Sequence, residues 1–137
     1  MRYKVLIDTN VLLDYCLLRT PRDEDSRRVV DACRSGQIIG FVAAHSFPDI
    51  FYITRKVYSS EERRLLLQSI LHLFQIVGLD RETIFAVITD EDFKDFEDCL
   101  IEKNAISIRA DYILTWNTRD FLKSRIPAIT PTEFLEK

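Results

Sequence analysis

A chain of 137 residues, 47% apolar and 30% charged, has the size and make-up of one globular domain, expected here over residues 1–137. Its net charge of −3 argues against a protein that meets nucleic acid with its whole surface, and leaves segregated basic patches, an acidic cation site or a basic partner open. No apolar run approaches the roughly 18 residues of a membrane span, and "MRYKVLID" lacks the core of a signal peptide, so a cytoplasmic location with no membrane contact is expected.

The first element is "YKVLID" (3–8), an apolar run ending in an acid, which reads as a strand buried on both faces. Asn10 stands where a cap belongs for a short helix over 10–18, and Asp14, a turn further on, is expected in solvent. "TPRDEDSRRVVDACRSGQ" (20–37) reads as a helix with Val29, Val30, Ala32 and Cys33 inward and Gly36 as its stop. "IIGFVAA" (38–44) is the second strand. The segment 45–58 predicts a helix beginning near Pro48. In 59–74 a Ser cap followed by Glu opens a strongly periodic helix. "QIVGL" (75–79) is a short strand, 80–90 a helix weakened by β-branched residues, and 95–108 another helix. "DYILTWN" (111–117) is a strand that ends polar, as the first did; a turn follows, then an edge strand and a last helix.

Strands alternating with helices predict an α/β fold with a parallel sheet. Cys16, Cys33 and Cys99 are odd in number and widely spaced, so they read as buried apolar side chains and not as disulfides or zinc ligands. His45 and His72 are too few to build a Cys/His metal site.

In a parallel sheet, ligands sit beyond the carboxyl ends of the strands. Asp8 ends the first strand, and Thr115, Asn117 and Asp120 follow the fourth. Asp49 starts the helix after the second, while Asp95, Glu97 and Asp98 open the helix that feeds the fourth. Taken singly, each acid has an ordinary explanation: acids near helix starts suit the helix dipole, and Asp8 can accept backbone N–H bonds. Their meeting on one rim is not explained that way, because facing carboxylates repel unless a cation lies between them. Oxygen-only ligation points to Mg²⁺ or Mn²⁺, ions that activate water for phosphodiester hydrolysis. There is no GxSxG, GxGxxG or P-loop to suggest other chemistry.

"VLIDTNVLLD" (5–14) and "ADYILTWNTRDF" (110–121) resemble the two marker motifs of PIN domains, and "DFEDCLIEKNA" (95–105) resembles the segment between them. The resemblance implies a Rossmann-like, three-layer α/β/α sandwich around a central parallel sheet of four or five strands. It implies Mg²⁺- or Mn²⁺-dependent cleavage of RNA by water, as in the VapC-type toxins of bacterial toxin–antitoxin pairs, with an antitoxin protein as partner and a homodimer as the common assembly. Carried over position by position, Asp8 matches the first acid and Asn10 the polar residue beside it, and Asp98 matches the third acid. Asp49 falls where a Glu is usual, and Asn117 where an Asp is usual, with Asp120 three residues later.

Asp8, Asp98 and Asp120 are thus the expected metal ligands, Asp49 and Asn117 complete the catalytic set, and Asn10, Thr115 and Asp95 support it. Asp49 is one methylene shorter than Glu and Asn117 carries no charge, so a catalytically weakened PIN-like domain that binds protein or RNA is the alternative. Among the basic residues that stand as candidate phosphate contacts, which include Arg19, Arg22, Arg55 and Arg125, Arg119 and Lys123 are the best placed. Trp116 stacks on a base or packs against the sheet. "FPDIFYITRKVY" is either core or a face for self-association or antitoxin binding over 45–74. A haloacid-dehalogenase-type phosphatase or a receiver domain also ends its first strand in Asp, but their further acids and lysines are not in place here.

Overall fold

Residues 2–137 are described in the computed structural model, and their short apolar runs line up as one parallel sheet. In chain order the strands are β1 (Lys4–Ile7), β2 (Ile39–Ala43), β3 (Gln75–Val77), β4 (Tyr112–Leu114) and β5 (Ala128–Ile129), and in space they run β3-β2-β1-β4-β5. Placing β1 at the centre sets Ile7 beside Leu114, so the residues that follow these two strands leave the sheet side by side.

Seven α-helices connect or follow the strands: α1 (Thr9–Leu17), α2 (Asp23–Arg34), α3 (Ser46–Ile53), α4 (Ser60–Leu73), α5 (Arg81–Thr89), α6 (Phe96–Ser107) and α7 (Pro131–Leu135). Successive side chains of a strand point to opposite faces, and the core divides accordingly. Val5 and Ile7 pack with Val11 and Leu12 of α1, Val29 and Val30 of α2, Ile50 of α3 and Ile70 of α4. Leu6 faces the other way, toward Ile101 and Ala105 of α6. Helix α5 lies against α6, with Val87 beside Cys99 and Leu100. Three layers result, as the resemblance implied, with the upper of the two expected strand counts. No helix among the described residues is long and apolar enough to cross a membrane.

Local chemistry explains most boundaries. Ser59 and Glu62 form a reciprocal capping box at α4, and Thr130 and Glu133 repeat it at α7. Gly36, at φ +82°, makes the turn that stops α2. Helix α3 begins at Ser46, so Pro48 falls in the first turn, where a missing N–H costs nothing. At Gly40 of β2 a Cβ would come within 2.6 Å of Cys33 Sγ and 2.8 Å of Phe74, so the approach of α2 and α4 to the sheet depends on that glycine. Burial pushes the Cys16 and Cys33 thiols up to about 12, in keeping with inert apolar roles.

Two expectations are corrected. Asp8, not Asn10, is the cap of α1: its carboxylate accepts from Thr9 N at 2.8 Å, because the strand stops at Ile7 and the helix already begins at Thr9. Asp14 is fully buried, not solvated, and pairs with Arg22 Nε at 3.1 Å and Arg19 Nη1 at 3.8 Å. Both arginines come from the turn that precedes α2, which begins at Asp23, later than the expected start at Thr20.

Candidate active site

The carboxyl edge of the sheet is organised around Asp8 and Thr115, the residues that follow β1 and β4. Asp8 N donates to Leu114 O at 2.9 Å, extending the strand pairing by one step. Thr115 is fully buried, and its hydroxyl lies 2.9 Å from Asp8 Oδ2. An ionised carboxylate only accepts, so Thr115 donates there; its oxygen then receives Asn10 Nδ2 and Asn117 N, each at 3.1 Å. Asn10 Nδ2 also reaches Asp8 Oδ2 at 3.3 Å, and Asn10 Oδ1 accepts from Trp116 N at 3.1 Å. Asn10 therefore cross-links the ends of β1 and β4. Thr9 ties the same corner to α3 through a 2.7 Å hydroxyl contact with Ser46.

Around this frame lies a cavity of about 230 Å³ whose walls include Asp8, Asn10, Asp49, Glu97, Asp98 and Asn117. A second cavity of about 320 Å³ adjoins it, and Asp98 borders both. Asp95, Asp120, Arg119 and Lys123 line the second. Asp95 also caps α6, accepting from Asp98 N at 3.0 Å, so the helix-start explanation holds for that residue. The residues expected from sequence thus come to one rim, divided between two connected spaces, with Thr115 behind Asp8.

Electrostatics reflect the crowding. Burial, then the neighbouring charges of Asp95, Asp8, Asp120 and Glu97, push the Asp98 carboxyl up to about 7. Burial also raises Asp8, although the hydrogen bonds from Thr115 and Thr9 pull it back. Glu97 is raised by burial and by Asp49 and Asp95. These are carboxylates that a nearby cation would relieve.

Among the described residues no three His, Cys, Asp or Glu side chains converge closely enough to hold one ion between them. The donor set nevertheless suits a small hard cation, since Mg²⁺ is commonly bound through one or two carboxylates and completes its shell with water and phosphate oxygens. Asp8 and Asp98 on either side of one cavity meet that requirement.

Sequence reasoning brought Glu97 to this rim without giving it a role, and missed His45. Glu97 enters the first cavity directly beside Asp98, and its signal was present in "DFED". His45 lines the same cavity just past the end of β2; burial holds it below the usual imidazole range, against the pull of Asp49 and Asp8. It was read only as too isolated to bind zinc, whereas its place at a strand end was the informative feature. Several candidate phosphate contacts are committed elsewhere. Arg125 binds Glu102 at 3.1 Å, Arg19 and Arg22 serve Asp14, and Arg55 lies 3.7 Å over the Tyr52 ring. Trp116 packs, with its indole N–H toward Ser26 at 3.3 Å and Arg22 over the ring.

The family model of the PIN domain matches residues 4–119, which takes in every strand from β1 to β4 and the rim as far as Arg119. The chain belongs to the PIN domain family. Solved PIN-type folds agree with it. A toxin–antitoxin complex from Klebsiella pneumoniae superposes with a TM-score of 0.70 at 20% identity, covering 93% of this chain and 97% of that one. VapBC2 from Rickettsia felis, solved bound to a DNA fragment from its promoter, gives 0.68 at 15% identity over 93% and 98%. VapC20 of Mycobacterium tuberculosis, described as a sarcin–ricin loop cleaving toxin, gives 0.63 at 8% identity over 80% and 86%. At these identities the likeness is one of fold. A search of curated proteins found no match.

Proposed function

We propose that this PIN domain is an endoribonuclease that hydrolyses RNA phosphodiester bonds with Mg²⁺ or Mn²⁺, and that it is the toxin of a toxin–antitoxin pair. The observation that carries the reading is the burial of Asp98 among Asp95, Asp8, Asp120 and Glu97, which together raise its carboxyl to about 7 and call for a cation. Asp8 and Asp98 would hold the ion, with Asp120 alongside and with Asp49 and Asn117 acting through water. When bound, the ion supplies an activated water and stabilises charge developing on the phosphoryl group. Thr115 and Asn10 fix the orientation of Asp8, and Arg119 and Lys123 hold substrate phosphates. The nuclease unit takes in residues 1–137, a reading supported by Ile129 and Phe134, which join the same core as Val5.

An antitoxin partner is proposed on the fold shared with toxin–antitoxin complexes. A homodimer is proposed on the exposed Tyr52, Val57 and Leu65 of α3, α4 and the turn between them. A cytoplasmic location suits such a protein. The second reading, a weakened PIN-like domain serving as a protein- or RNA-binding module, is favoured by Asp49 and by the neutral, exposed Asn117.

The test is cleavage of mixed RNA by the purified protein in Mg²⁺ or Mn²⁺, beside Asp8→Asn and Asp98→Asn. Each variant should lose on the order of 100-fold or more in rate, with circular dichroism unchanged. Variants as active as wild type would place the activity elsewhere. A folded wild type that binds RNA without cutting it would support the module reading.

A further inference from the structure

The two cavities that meet at Asp98 differ in charge. The one that contains Asp8, His45, Asp49 and Glu97 has no lysine or arginine in its wall. The one beyond Asp98 sets Lys94, Arg119 and Lys123 among Asp92, Asp95 and Asp120, together with Phe93 and Leu122. None of these three cations makes an ion pair among the described residues, whereas Lys103 and Arg125, from neighbouring segments, are taken up by Asp90 and Glu102. Leu122 is 84% exposed, the most exposed of the large apolar side chains, and Phe93 is braced edge-on against Phe121.

An RNA strand carries one negative charge per linkage, so its course past Asp98 is governed by this asymmetry. Phosphates approaching the acidic cavity meet four carboxylates, neutral Thr and Asn side chains and a half-buried histidine, with no lysine or arginine to hold them. Phosphates on the other side meet three cations that offset its acids without pairing to them, beside apolar side chains on which an unpaired base can rest.

We propose that the site grips single-stranded RNA on one side of the scissile phosphate only. The linkages on that side run along Lys94, Arg119 and Lys123, with a base over Leu122 and Phe93, while the His45 side admits little beyond the nucleotide that adjoins the cut. This rests on the ribonuclease reading and specifies how its substrate lies.

The experiment uses the full chain with Mg²⁺ and a short RNA whose cut has been mapped. A series of otherwise identical RNAs carries one uncharged methylphosphonate linkage at successive positions on either side of that cut. Neutralising a linkage on one side should lower kcat/KM about tenfold, and on the other side change it less than twofold. Lys94→Gln and Lys123→Gln should raise KM with kcat nearly unchanged and shrink the one-sided penalty. The same asymmetry should appear in the affinity of Asp8→Asn for the labelled RNAs, measured by fluorescence anisotropy without metal. Equal losses on both sides, or none on either, would overturn the one-sided grip while leaving the ribonuclease intact. Failure of the wild type to cut any RNA would overturn the ribonuclease reading itself, and this inference with it.

Discussion

Asp98, proposed to hold the ion, is a side chain that weighs on the fold in its absence. Its carboxyl sits at about 7 in the folded protein against an ordinary 3.8. Between those values the folded chain holds a proton that the unfolded chain releases, so this group's contribution to stability falls as pH rises from about 4 to about 7 and stays at its minimum above. Asp98→Asn removes the repulsion with little change of shape. The metal-free variant should therefore melt higher than wild type at pH 8, by about 3–5 °C if solvent screening reduces the gain to ~1 kcal/mol. Near pH 4 the two should melt alike. Scanning calorimetry at both pH values in EDTA checks this, and equal melting at pH 8 would show that the carboxylates do not strain the metal-free fold. Asp14 carries the opposite lesson. Its burial was hidden in the sequence because α1 is covered on nearly all sides, so a charged residue among Val11, Leu12 and Leu13 marks an internal ion pair and not a solvated face.

At the scale of elements, a buried charge cluster ties together the segments that wall the second cavity. Glu102, fully buried in α6, accepts from Lys103 Nζ at 2.8 Å, from Arg125 N at 2.8 Å and from Arg125 Nη1 at 3.1 Å. Lys103 reaches on to Asp90, the residue that ends α5. That bond holds the Asp90 carboxyl below its ordinary 3.8, so its stabilising contribution is present above about pH 4 and is lost as pH falls through the lowered value. Glu102→Ala leaves two cations without their main partner and one backbone N–H without an acceptor. It should destabilise the fold by about 3 kcal/mol, read as a lower urea midpoint at unchanged slope. A loss within 0.5 kcal/mol would mean that the cluster is dispensable to the fold. None of this was legible in "DCLIEKNA", because a helix covered on one side by α5 and on another by the chain before β5 looks amphipathic in sequence. Asp8, Asp98 and Thr115 were legible because a parallel sheet has one functional edge, and strand ends can be read without knowing what covers them. Glu97 and His45 sit on that same edge and were within reach of the same rule.

For the whole molecule, the net charge of −3 and the clustering of free cations near one rim describe a protein with little general affinity for nucleic acid. If three phosphates are engaged, the logarithm of RNA affinity should fall with the logarithm of salt concentration at a slope of about −2. Titrations of Asp8→Asn between low and moderate salt measure it, and a slope near zero would remove phosphate contacts from the account. The order of strands carries a further consequence, one of timing. Asp8 is made well before the hydroxyl that orients it, which lies 107 residues downstream, past three crossovers. With synthesis at roughly 5–20 residues per second, Asp8 waits several seconds for Thr115 to be made. The proposed nuclease would have no oriented Asp8, and so no finished site, until Thr115 has been made and has packed behind it.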